Sequence, residues 1–110
     1  MSEVDESQAL AVDKILSRLL RAIRAGKLEL KTGDKGLSLV QHLKDDKELT
    51  YREMCAADKA KVYAINDDPI KRMHFLLGLL SGLGTDVIGK LKGADMRIGE
   101  AVAGFFLALY

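Results

Sequence analysis

Two histidines, one cysteine and a glycine-rich run are the features of this 110-residue chain whose types and spacing could do chemistry. His42 stands three and four residues before Asp45 and Asp46, a spacing that at a helix end could offer imidazole and carboxylate ligands to a metal. Only one histidine takes part, and no second His–carboxylate cluster accompanies it. The same histidine suits the negative end of a helix as a cation, and the acids suit a solvated loop. His74, in Lys-Arg-Met-His-Phe, reads as a hydrogen-bonded residue at the edge of an apolar helix. Cys55, in Glu-Met-Cys-Ala-Ala, reads as a small core residue, since no base is placed near it to make it a nucleophile. A single cysteine also excludes an intrachain disulfide and a multi-cysteine zinc site.

The run Gly78-Leu-Leu-Ser-Gly82-Leu-Gly84-Thr85 resembles a phosphate loop only superficially. A phosphate loop needs four residues between its glycines and a lysine before the Ser/Thr; here the gap is three and Gly84 precedes Thr85. Neither a Gly-x-Ser-x-Gly elbow nor a His-Glu-x-x-His pair occurs. The chain is therefore expected to be non-catalytic, with no metal and no cofactor. Its glycines pair instead with small residues four positions on, as in Gly78/Gly82, Gly99/Ala103 and Gly104/Ala108. Such pairs strip one helix face of side chains and let another backbone approach closely.

The other chemically pointed feature is a basic stretch. Lys14, Arg18, Arg21, Arg24, Lys27, Lys31 and Lys35 place seven cations in 22 residues, offset by Glu29 and Asp34. Lys14, Arg18 and Arg21 fall on one helix face and the rest continue into a loop. The stripe could neutralise phosphates of a nucleic acid, or equally meet an acidic protein surface or the chain's own acidic N-terminus. A sharper form of the nucleic-acid alternative is a helix-turn-helix over Ser38–Lys44 and Thr50–Ile65, opposed by Asp45, Asp46 and Glu48 in its joint. The net charge of +1 argues against a generic polyanion binder but leaves room for a local patch.

The elements that must position these residues read as helices. Val12, Ile15, Leu16, Leu19, Leu20 and Ile23 share a face at helical spacing, with Ser7 as cap and Gly26 as terminator. Residues 27–35 alternate weakly and end in a Gly33/Gly36 turn region, which reads as a short extended piece or simply loop. Ser38-x-x-Gln41 and Thr50-x-x-Glu53 have the form of capping boxes. The second would open a helix to about Ile65 with Tyr51, Met54, Cys55, Val62 and Ile65 facing inward. Asp68-Pro69 starts a helix over 69–83, Thr85 caps a short one to Lys92, and Asp95 caps the last. With 15 Val, Ile and Thr against 18 Leu and 12 Ala, helix is favoured over sheet. The expected fold is all-α: one domain spanning residues 1–110, a compact bundle of five or six helices.

Charge divides that domain. Residues 1–72 carry 27 of the 33 charged side chains, whereas residues 73–110 are 22 of 38 apolar and hold seven of the ten glycines. So many large apolar side chains are hard to enclose in a small globule, and the chain closes on Phe-Phe-Leu-Ala-Leu-Tyr. The expectation is a small regulatory or protein–protein interaction module, a homo-oligomer joined through Phe75, Leu79, Leu83, Phe105, Phe106, Leu109 and Tyr110. Lys14, Arg18, Arg21, Arg24, Lys27 and Lys31 form its second surface, aimed at an acidic partner or, alternatively, nucleic acid. A second alternative is conditional membrane activity. It is opposed by the length of the apolar run 101–110, half of the ~20 residues a span requires. The acidic start of the chain lacks the form of a targeting signal, which reads as cytoplasmic.

Overall fold

Residues 28–52 build a sheet: helices were expected over 38–44 and from residue 50 on, whereas 27–35 read as a short extended piece or loop. The computed structural model describes residues 6–34, 36–65 and 68–109. Their order is α1 (Glu6–Arg24), β1 (Leu28–Gly33), β2 (Gly36–His42), β3 (Glu48–Arg52), α2 (Ala56–Ile65), α3 (Pro69–Ser81), α4 (Thr85–Gly89) and α5 (Ala94–Leu109). The all-α helical bundle is thus corrected to a mixed α/β fold, with a three-stranded antiparallel sheet in the order β1-β2-β3.

Local chemistry explains the correction. Ser38-x-x-Gln41 lies within β2, and Thr50-x-x-Glu53 lies at the end of β3, so neither caps a helix. Glu53 instead accepts a hydrogen bond from the Leu37 N–H at 3.3 Å. On β3, Leu49 and Tyr51 are buried between exposed Glu48, Thr50 and Arg52, a clean strand pattern. On β2 the pattern is disguised, because Gln41 takes an inward position opposite Leu28 and Leu49. A helix-turn-helix is excluded with the first box, since its leading helix is β2. Asp46, at φ 64°, provides the left-handed residue of the β2–β3 turn, which the Leu43 N–H closes on the Lys47 carbonyl at 2.8 Å.

The inward face of the sheet contributes Leu28, Leu39, Leu49 and Tyr51 to a core shared with Leu76, Leu77 and Leu80 of α3 and Val102 and Phe106 of α5. α3 packs against α2, α4, α5 and β3, which is why it is apolar nearly all round. The apolar load of residues 73–110 is thereby partly enclosed within the chain, by β3 and α2 against α3 and by α1 against α5, while Leu83, Val87 and Met96 stay exposed. No helix among the described residues is long and apolar enough to cross a membrane.

Several helix signals hold. Asp68 Oδ1 accepts the Ile70 N–H at 2.9 Å, Pro69 opens α3, and Gly82 closes it in the left-handed region at φ 73°. Cys55, expected inward, is exposed, while Tyr51, Met54 and Val62 are buried; the Ile65 side chain lies outside the described residues. The inward face of α1 is Ile15, Leu19 and Ala22, so Leu16, Leu20 and Ile23 stay on the surface. The side chains of Ser7 and Val12 lie outside the described residues. Thr85 opens α4 without a side-chain cap, and α4 stops at Gly89.

Candidate functional site

Arg18 and Arg21 lie three residues apart on α1, hence on one side of it, with Lys14 one turn earlier. The first turn of α5 faces them. Arg18, Arg21, Lys27 and Arg97 surround a groove of about 480 Å³ whose remaining walls are Ala22, Ala25, Ala94 and Ile98. All four cations are exposed, and none forms an ion pair with a carboxylate among the described residues. Alanines leave the floor shallow, so an anion can approach the guanidinium groups directly. Arginine suits this work because its planar fork binds a carboxylate or phosphate through two N–H groups.

The walls are tied to the sheet. Lys27 donates its N–H to the Ala22 carbonyl at 2.9 Å and accepts from the His42 N–H at 2.8 Å, joining the end of α1 to β2. Across the groove, the buried Tyr51 hydroxyl donates to Gln41 Oε1 at 2.7 Å. Gln41 Nε2 then donates to the Asp95 carbonyl at 2.7 Å. The Lys44 N–H donates to the Asp95 carboxylate at 3.3 Å, so this acid anchors the start of α5 to the sheet. Burial, with a smaller contribution from the Asp95 carboxylate, pushes the Tyr51 phenol above its ordinary pKa and keeps its proton in this bond. At the far end, Gly104 permits the α1–α5 contact, because a Cβ there would meet Ile15 Cδ1 at 3.0 Å.

The basic candidates therefore divide. Arg18, Arg21 and Lys27 come together, and Arg97, which lies outside the basic stretch of residues 14–35, joins them. Lys14 is exposed on the same side of α1 but outside the groove walls, Arg24 is exposed elsewhere, and Lys31 on β1 sits 3.9 Å from Glu29. The apolar candidates divide as well. Phe106 is fully buried in the chain's own core, with Phe105 edge-on to it at 5.2 Å. Phe75, Leu79 and Phe105 are half-buried and Leu83 is exposed. The Leu109 side chain and Tyr110 lie outside the described residues.

His42 is not gathered with Asp45 and Asp46. It stands on β2 between two strands, with Nε2 3.1 Å from Glu29 and Nδ1 3.3 Å from Glu48. No group of three or more His, Cys, Asp or Glu among the described residues is placed to hold a metal ion. Cys55 donates its N–H to Asp58 Oδ2 at 2.9 Å at the start of α2. Asp58, only 3% exposed, also accepts from both terminal nitrogens of Arg52 at 2.6 and 2.9 Å. Those arginine bonds, outweighing the burial that opposes them, hold the Asp58 carboxyl well below the usual carboxylate range. Compared with protein-family models, curated proteins and solved structures, the chain matches none.

Proposed function

We propose that the chain is a non-catalytic binding module that engages an acidic partner through the groove between α1 and α5. The observation that carries this reading is the gathering of Arg18, Arg21, Lys27 and Arg97, none paired with a carboxylate among the described residues, on walls fixed to the sheet. In a chain of net charge +1, such a concentration of one sign is a local feature, and the repulsion within it is relieved when an anion enters. The protein is expected to bind heparin, used as a generic polyanion, at about 50 mM salt and to release it as ionic strength rises. Arg18→Gln/Arg21→Gln should weaken that binding by about tenfold or more, each lost charge-assisted contact being worth at least ~1 kcal/mol. Wild-type affinity in the variant would refute the reading.

A second reading, self-association, is favoured by the surface of α1 away from the groove. Leu16, Leu20 and Ile23 recur there at one helical stripe with exposures of 38%, 52% and 38%. Asp13 lies near one end of the stripe and Arg24 near the other. A second copy docked antiparallel would set the acid of each chain against the cation of its counterpart.

A further inference from the structure

We propose that the acidic partner is the phosphodiester backbone of double-stranded nucleic acid, held along a belt of cations that runs from the α1–α5 groove past the start of α5; this rests on the groove being the binding site. A second hollow, of about 460 Å³, carries Lys44, Lys90 and Lys92. The two hollows share one stretch of backbone: Ala94 lines the first, and its neighbours Gly93 and Asp95 line the second. Seven cations therefore flank one helix end. The two acids of the second hollow are engaged locally, Asp95 by the Lys44 N–H at 3.3 Å and Asp45 by the Lys47 N–H at 3.3 Å and its ammonium at 3.9 Å.

The shape of this belt selects the ligand. A row of cations extending over two hollows matches a charge that repeats along a polymer, whereas one compact anion would use only one of them. A protein–protein interface is generally anchored by aromatic side chains at its centre. Among the described residues no aromatic side chain lines either hollow; their large apolar members are Ile98, Leu43 and Leu91. That lack also denies unpaired bases an aromatic platform, which favours contact to the backbone of a duplex with little sequence preference.

The test is anisotropy of a labelled DNA duplex of about 20 base pairs, titrated with the full chain between about 50 and 200 mM salt. Seven phosphate contacts give a slope of log K against log salt of about −6, and four give about −4. Lys90→Gln/Lys92→Gln is expected to make the slope shallower by about 2 while leaving the circular dichroism spectrum unchanged. A wild-type slope near −4, or no change in the lysine variant, would overturn the belt and leave the groove reading intact. Displacement of the duplex by polyglutamate at equal charge concentration would also overturn it, assigning the groove to an acidic protein. Failure to bind both the duplex and heparin would remove the groove reading itself.

Discussion

Asp58 shows how one side chain can tie a strand to a helix. Its carboxylate takes two bonds from Arg52 at the end of β3 and one from the Cys55 N–H at the start of α2. With Asp58 enclosed but the Arg52 side chain 50% exposed, the pair falls between a buried and a surface ion pair, and Asp58→Asn should cost about 2 kcal/mol near neutral pH. The carboxyl's pKa is lowered by folding, so its contribution is present above the unfolded carboxylate value of about 3.9 and is lost as pH falls below it toward the folded value. Urea unfolding of the native chain and Asp58→Asn should therefore differ more at pH 7 than at pH 3. An equal difference at the two values would contradict this account. In the sequence these residues offered no signal of the pairing. Arg52 and Asp58 are six apart across a strand–helix boundary, and that boundary was hidden by the apparent capping box at Thr50.

At the scale of elements, the contact between α3 and α4 depends on Gly78. A Cβ there would lie 2.6 Å from the Gly84 carbonyl carbon and 2.8 Å from the Thr85 nitrogen, both backbone atoms that cannot step aside as a flexible side chain does. Gly78→Ala is expected to destabilise the fold by about 3 kcal/mol. Gly82→Ala, four residues on, faces open space and loses only about 1 kcal/mol to its left-handed backbone. Chemical denaturation of the two variants checks the ratio, and equal losses would show that α3 and α4 can separate without penalty. The small-residue spacing was legible in the sequence as a device for close approach. Which backbone approached was not, since only the turn at Gly82–Gly84 brings α4 back onto α3. The sheet was less legible still. Its middle strand carries Gln41 at a core position, and a buried amide is tolerable only because Tyr51, ten residues on, and Asp95, fifty-four residues on, supply its partners.

At the scale of the whole molecule, the apolar surface that remains outside the core bears on self-association. The three aliphatic side chains of the α1 stripe fall well short of the about 800 Å² per partner buried in stable interfaces, so pairing through that stripe alone is expected to be weak. Sedimentation equilibrium should give a mass rising above 12.1 kDa only in the upper micromolar range, and Leu16→Ser/Leu20→Ser should abolish the rise. A flat mass for the unmodified chain across that range would end the second reading. The sequence by itself determined the amphipathic first helix, the Asp-Pro start and glycine end of α3, and the cationic side of α1, because each is written in residues within a turn or two of one another. Tertiary structure alone decided that Gly36–His42 is the middle strand of a sheet, that Phe106 is core, and that Arg97 completes a groove with Arg18 and Arg21. Strand pairing and the crossing of α1 with α5 join residues far apart in the chain, and no local periodicity encodes such contacts.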